Sequence, residues 1–224
     1  MICAALIPAR GGSKGIPRKN IKLFNSKPLI YWSIKVAIEC KKVDRVIVST
    51  EDEEIATIAK SFSAEVPFLR PQKLANDESP GIDPVLHTLK NIPNIDDLLL
   101  LQPTSPLRRQ KDLDNIFEIR SKFKSKSAVS ITPSKKHNDL FFTLNKKNKI
   151  SSLSNNLKIM PRQKYKKNYY LNGSLYLSTR DSILSNMSLI TTDTIGYIMP
   201  EEYSIDIDTP LDWEIAEHLM LKNL

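Results

Sequence analysis

Two short stretches far apart in the 224-residue chain combine residue types suited to a bound polyanion. The first is IPARGGSKGIPRKN, residues 7–20, where three glycines, two prolines and four cations occur without an acid. Glycines let backbone N–H groups converge on an anion, Ser13 adds a hydroxyl donor, and Arg10, Lys14, Arg18 and Lys19 supply charge at several radii. Gly11, Gly12 and Gly15 do not spell G-x-G-x-x-G, and Lys14 precedes Gly15 with no G-K-[ST]. Neither a dinucleotide fingerprint nor a Walker loop is present. A polyphosphate suits the loop better than a carboxylate. The second stretch is SIDIDTP, residues 204–210, read as a strand whose period of two puts Asp206 and Asp208 on one face and Ile205 and Ile207 on the other. Carboxylates so close repel, so a cation is their natural neutraliser. Hard oxygen donors suit Mg²⁺, which shares its shell with substrate phosphates.

A third stretch, LLQPTSPLRR, sets Gln102, Thr104 and Ser105 just past an apolar run, where polar groups face a ligand rather than a core. Arg108 and Arg109 read as solvated charges at the start of a helix. His87 reads as a satisfied surface or half-buried histidine rather than a base.

These residues need a scaffold, and the hydrophobic pattern supplies one. ICAALI (residues 2–7), RVIVST (45–50), DDLLLL (96–101) and SAVSIT (127–132) are short apolar runs of the kind buried on both faces of a parallel sheet. Helical periodicity separates them: Leu29, Trp32, Ser33, Val36, Ala37 and Cys40 share one face, and Ile55, Ile58, Ala59 and Phe62 another. Thr50 with Glu53 reads as a capping box, Asp83-Pro84 as N-cap and N1, and Thr209 with Pro210 and Asp212 as the start of the last helix. EVPF reads as a further short strand. The order βαβαβαβαβ predicts an α/β fold with a right-handed, doubly wound, mostly parallel sheet. Such sheets bind ligands at the carboxyl ends of their strands, where strand order reverses.

The net charge of +8 is not spread evenly. Between Lys135 and Asn168 ten Lys or Arg stand against Asp139 alone, and the remainder sums to about zero. A uniformly basic, nucleic-acid-coating surface is therefore excluded, and the charge belongs to a projecting arm at about 135–171, inserted in a single domain spanning 1–224. The aromatic residues Tyr165, Tyr169 and Tyr170 in that arm leave a single-strand nucleic-acid binder as a competing class, with steep salt dependence as its signature. No apolar run approaches the roughly 20 residues of a membrane helix. Two cysteines without a C-x-x-C and three scattered histidines indicate neither a disulfide framework nor a zinc site. The opening run reads as a buried strand rather than a signal peptide, so a cytoplasmic protein is expected.

Taken together, IPARGGSKGIPRKN, RVIVSTED, FLRPQKLANDESP, LLQPTSPLR, NGSLYL and SIDIDTPLD resemble, in order and approximate spacing, the acylneuraminate cytidylyltransferases, which activate sialic acid and related nine-carbon 2-keto acids with CTP. The resemblance covers nearly the whole chain. It implies a Rossmann-like nucleotidyltransferase fold, with Ala9, Arg10, Ser13, Lys14 and Lys19 on the CTP triphosphate and Asn20, Arg70 and Ser79 around the cytidine. It places Gln102 and Ser105 toward the sugar, Mg²⁺ on Asp206 and Asp208, and Arg10, Lys14, Lys19 and Asp208 at the chemistry. It also implies a homodimer whose arm reaches the partner's sugar site, and small-molecule substrates with no nucleic acid and no membrane. One departure is specific. The family usually carries an arginine two residues before the Asn-Gly pair, where this chain has Tyr170 before Asn172. Arg162 or a nearby lysine is the expected replacement, with Tyr170 and Asn172 retained on the sugar side. A cytidylyltransferase for the eight-carbon acid KDO is the alternative, although its first loop usually reads closer to PARxxSxRLPGKPL.

Overall fold

A computed structural model describes residues 1–76, 79–154 and 166–223. Its first strand, β1 (Cys3–Pro8), is buried from Cys3 to Ile7 because CAALI offers small and branched side chains to both faces. The ribbon β2 (Leu23–Phe24) and β3 (Lys27–Pro28) follows, then α1 (Leu29–Glu39), β4 (Arg45–Ser49) and α2 (Glu53–Ser61). Next come α3 (Asp83–Asn91), β5 (Asp97–Leu101), α4 (Gln110–Lys122) and β6 (Ser127–Pro133). The hairpin β7 (Phe142–Leu144) and β8 (Ile150–Ser152) precedes β9 (Tyr169–Thr179), α5 (Arg180–Asn186), β10 (Ile195–Ile198) and α6 (Pro210–Asn223).

The six main strands lie in the order β10-β6-β9-β5-β1-β4. β1 pairs in parallel with both β4 and β5, β6 pairs in parallel with β10, and β9 alone runs antiparallel, between β5 and β6. The doubly wound, mostly parallel sheet read from the sequence is thus present, with one reversed strand. The chain leaves β1 toward β4 on one side and returns to β5 on the other. The topological switch point therefore falls between the carboxyl ends of β1 and β5.

Two apolar clusters cover the sheet faces. One packs Ile30, Ile34, Ile55, Leu113 and Ile116 against Ile7, Val48 and Leu99; the other packs Val85, Leu89 and Ile183 against Leu6, Ile47 and Leu98. A third, satellite cluster joins Ile16, Phe24, Leu29 and Leu107 to Ile207, Trp213, Ala216 and Met220. It matters most for the site, because Ile16 belongs to the glycine-rich loop and Ile207 lies between the two aspartates.

Several local expectations change. Asp52, not Thr50, caps α2: its carboxylate accepts from the Ile55 N–H at 2.9 Å, while the buried Thr50 hydroxyl accepts from the Asp52 N–H. The N-cap of α3 is Ile82, so Asp83 and Pro84 lie inside its first turn. EVPF forms a single bridge, Glu65 to Ile47, rather than a strand. Residues 204–208 join no ladder; the Ile207 N–H donates to the Thr104 carbonyl at 2.8 Å instead. The reciprocal cap of α6 is as read, with Asp212 N–H donating to Thr209 Oγ1 and Thr209 N–H to Asp212 Oδ2. Between β6 and β9, Asn145 Oδ1 accepts from Lys147 and Lys149 N–H and closes the β7–β8 turn. Among the described residues no helix is long and apolar enough to cross a membrane.

Candidate active site

A cleft of about 530 Å³ opens at the switch point, walled by the loops after β1 and β5, by residues 74–76 and 79–81, and by Asp206 and Asp208. Of the residues singled out from the sequence, it gathers Arg10, Ser13, Lys14, Lys19, Asn20, Arg70, Ser79, Gln102, Asp206 and Asp208. These come from positions spread over nearly 200 residues. Only the strand order brings them together.

The loop after β1 leaves the sheet with the buried Ala9, whose N–H donates to Ser49 O at 2.9 Å and extends the β1–β4 pairing by one residue. Its return limb is held by Asn20, which is buried and donates its amide to Arg10 O at 2.9 Å. Ile16, anchored in the satellite cluster, pins the middle. The Lys19 ammonium donates to Ile207 O at 2.5 Å and lies 3.2 Å from Asp208 Oδ1. Lys19 therefore bridges the cationic loop to the acidic segment. Gly15 packs directly on that segment, and a Cβ there would collide with the Asp208 main-chain oxygen. Gly15→Ala is expected to push the two walls apart and lower the catalytic rate by roughly 10²-fold, the usual penalty for ångström-scale misplacement, with thermal unfolding little changed. Steady-state kinetics measures it, and a rate within threefold of wild type would show that the walls tolerate separation.

Asp206 and Asp208 both face the cleft while Ile205 and Ile207 pack in the satellite cluster. The alternation read from SIDIDTP survives without a strand, because extended backbone alone produces it. Burial pushes the Asp206 carboxyl above the usual carboxylate range and the neighbouring charge of Asp208 adds to this, while the Thr104 hydroxyl, Lys19 and Arg108 pull it back. Asp206 Oδ1 is buried without a hydrogen-bond partner. Opposite it stands Gly173, in the left-handed region at φ 74°, where a Cβ would sit 3.1 Å from Gln102 Oε1 and 3.3 Å from Asp206 Oδ2. Glycine both adopts this backbone conformation inside β9 and lets Gln102 and Asp206 approach it.

Other expected residues lie elsewhere. Ser105 is fully buried behind the cleft, its hydroxyl unpartnered. Asn172 is buried in a network, accepting from Ser130 Oγ at 2.5 Å and donating to Ser204 Oγ at 2.9 Å. Its side chain braces β9 against β6 and the turn after β10. Tyr170 is half exposed and lines a second cavity, about 470 Å³, at the base of the arm with Lys135, Lys136 and Phe141. Arg162 lies outside the described residues. Arg18 does not face the anion space: its guanidinium pairs with Asp52 and, at 2.5 Å, with Glu54, and Arg18 holds the Asp52 carboxyl below its usual range.

Arg108 contradicts the sequence reading most. It is fully buried, donating to the carbonyls of Ser105 and Ser174 at 2.9 Å each, to Gln102 O and to Ser33 Oγ. Burial pushes its guanidinium down to about 9, opposed by Asp206 and Asp112. Arg108 fixes the loop that carries Gln102 and places a cation behind Asp206. The two prolines that tighten the preceding turn were its one signal in the sequence. Arg109 does stand at the start of α4, stacked 3.6 Å from the Tyr203 ring centre.

The sequence matches the family described as cytidylyltransferase over residues 4–223. This chain belongs to the cytidylyltransferase family. Within it, the enzyme is 36% identical to the CMP-N,N'-diacetyllegionaminic acid synthase of Legionella pneumophila, over 98% of this chain and 96% of that protein. It is 31% identical to the N-acylneuraminate cytidylyltransferase of Escherichia coli over 95% of this chain, and spans about half the length of that and similar curated relatives. In structure it is similar to a CMP:2-keto-3-deoxy-manno-octonic acid synthetase complexed with CTP, with a TM-score of 0.76 at 17% identity and full coverage of both chains. That last likeness concerns the fold of this cytidylyltransferase.

Proposed function

We propose that the enzyme transfers CMP from CTP to the anomeric hydroxyl of a nonulosonic, sialic-type acid, forming a CMP-sugar and pyrophosphate. The observation that carries this reading is the single cleft joining the cationic glycine loop to the acid pair and to Gln102, in a chain 36% identical to a CMP-N,N'-diacetyllegionaminic acid synthase. In the reaction the anomeric oxygen bonds to the α-phosphorus, the bond from that phosphorus to the β-bridging oxygen breaks, and the hydroxyl proton passes to solvent. Phosphoryl-type transfers of this kind depend on position and charge. Arg10, Ser13, Lys14 and Lys19 hold the triphosphate and stabilise charge gathering on the leaving pyrophosphate. Asn20, Arg70 and Ser79 border the nucleoside end, and Gln102 borders the acceptor.

The acid pair fits Mg²⁺. Asp206 offers a buried oxygen with no other partner, both donors are hard carboxylates, and among the described residues no third acid, His or Cys completes a closed protein site. Such a set suits an ion that takes its remaining ligands from substrate phosphates and water. When bound by Asp206 and Asp208 it would neutralise phosphate charge and favour ionisation of the attacking hydroxyl.

The basic arm serves, in this reading, as a dimerisation element that carries positive charge to a partner's acidic sugar. Leu144, Ile150 and Leu153 on its hairpin region are exposed at 66%, 65% and 62%, which is what an apolar contact surface awaiting a partner presents. Incubation with CTP, Mg²⁺ and a panel of sialic, legionaminic and pseudaminic acids and KDO tests the function. Pyrophosphate release with a nine-carbon acid and not with KDO is expected; release with KDO alone, or with none, overturns the assignment.

A further inference from the structure

A carboxylate stands where an anion site should not want one. Glu51, immediately past the carboxyl end of β4, has a side chain only 7% exposed. Its Oε1 accepts from the Gly11 N–H at 2.8 Å and its Oε2 from Arg70 Nη2 at 2.7 Å. The Arg70 side chain is 3% exposed and its Nε has no partner, so Glu51 is the one acid within salt-bridge reach of that guanidinium among the described residues. Arg70 is further fixed by its N–H to Thr50 O at 2.7 Å. Gly11 belongs to the glycine-rich loop after β1 and Arg70 lines the cleft, and Glu51 touches both.

We propose that Glu51 is a positioning residue that presets the cleft for CTP by holding the Gly11 amide of the phosphate loop and the Arg70 guanidinium in one fixed relation. A negative charge beside a triphosphate site repels the ligand, so this carboxylate is an advantage only through what it orders. Three features support that role. Its two oxygens tie the glycine-rich loop to the cleft-lining Arg70, its burial makes each contact insensitive to solvent, and the adjacent Asp52 fastens the far end of the same loop through Arg18. Preorganisation of this kind removes the ordering cost from nucleotide binding. It should appear in the KM for CTP rather than in kcat, since Glu51 borders no reacting atom.

The inference rests on the CTP reading above, and its test separates the two. Glu51→Gln, which keeps the acceptor for Gly11 but offers an amide to Arg70, is expected to raise the KM for CTP at least tenfold, leave kcat within threefold and leave the KM for the sugar acid unchanged. Without nucleotide, amide exchange in residues 9–16 should accelerate while residues 45–49 stay protected. Glu65→Gln, which breaks the remote Arg45–Glu65 pair, is the stability control. If Glu51→Gln does not fold, Glu51→Asp retains the charge that compensates Arg70 but is one methylene too short to reach both partners, and the same CTP-specific rise is expected. A folded variant with wild-type KM for CTP and wild-type exchange overturns the proposal, as do equal rises for both substrates. A wild-type protein with no CTP-dependent thermal shift overturns the CTP reading instead, and the exchange measurement then still decides whether Glu51 orders the loop.

Discussion

Lys14→Ala is expected to lower kcat by about 10² to 10³ while the thermal midpoint stays where it was, because removal of one preorganised charge that meets developing transition-state charge commonly costs that much. Lys14 lines the cleft beside Gly15, the residue in direct contact with the Asp208 backbone. It thus stands on the cationic wall facing the acidic one. The loop has other anchors: Ile16 packs in the satellite cluster, Asn20 ties the limbs, and Arg18 fastens the outer edge to Asp52. The kinetic loss should therefore come without unfolding. Single-turnover rates with CTP and the accepted sugar, beside thermal melts, measure both quantities. A Lys14→Ala protein that keeps half its rate would remove this lysine from charge stabilisation.

Asp206→Asn is expected to act in opposite directions on activity and stability. Burial raises the Asp206 carboxyl in the folded chain above its unfolded value of about 3.9. The folded state therefore holds the proton more tightly, so this group favours folding fully only below the unfolded pKa, and the advantage is lost as pH rises through the folded one. At neutral pH the ionised carboxylate burdens the metal-free protein. Asparagine removes that charge. Melts in EDTA without nucleotide should show the variant more stable at pH 7, by about 2–4 °C for each kcal/mol relieved in a domain of this size, with the difference shrinking as pH falls through the raised folded value and gone below about 4. The same variant should lose most turnover and the magnesium-dependent part of its stabilisation by CTP, since a buried oxygen placed for a cation is gone. A site whose chemistry costs fold stability is the expected compromise in an enzyme. Unchanged melting at pH 7 would show that Arg108 and Lys19 already compensate the charge.

Much of the scaffold was legible because it rests on local rules. The largely apolar runs at residues 2–7, 45–50 and 96–101 hold buried parallel strands, the 3.6-residue stripes between them are helices, and Thr209 caps α6 as its spacing with Asp212 requires. The alternation in SIDIDTP gave the orientation of both aspartates correctly even though no strand pairs with it. Less was legible wherever a side chain finds its partner far along the chain. Thr50 with Glu53 has the spacing of a capping box, yet the packing of β4 buries Thr50 and leaves the cap of α2 to Asp52. Arg18 has the composition of an anion ligand and instead meets acids 34 and 36 residues away. Ser105 and Asn172 look ligand-facing from their neighbours, yet the turn after β5 and the irregular pairing of β6 with β9 bury both.

The sequence by itself determined the chemistry: which segments carry clustered N–H donors and cations, which carry paired carboxylates, and which apolar runs build the sheet, since each is a property of residue type and spacing. The tertiary structure alone decided which of those polar groups reach the cleft and which are spent holding it. Arg108 and Glu51 show why. A charged side chain is functional or structural according to the dielectric and the partners around it, and in both cases partners 19 to 75 positions away help to set them.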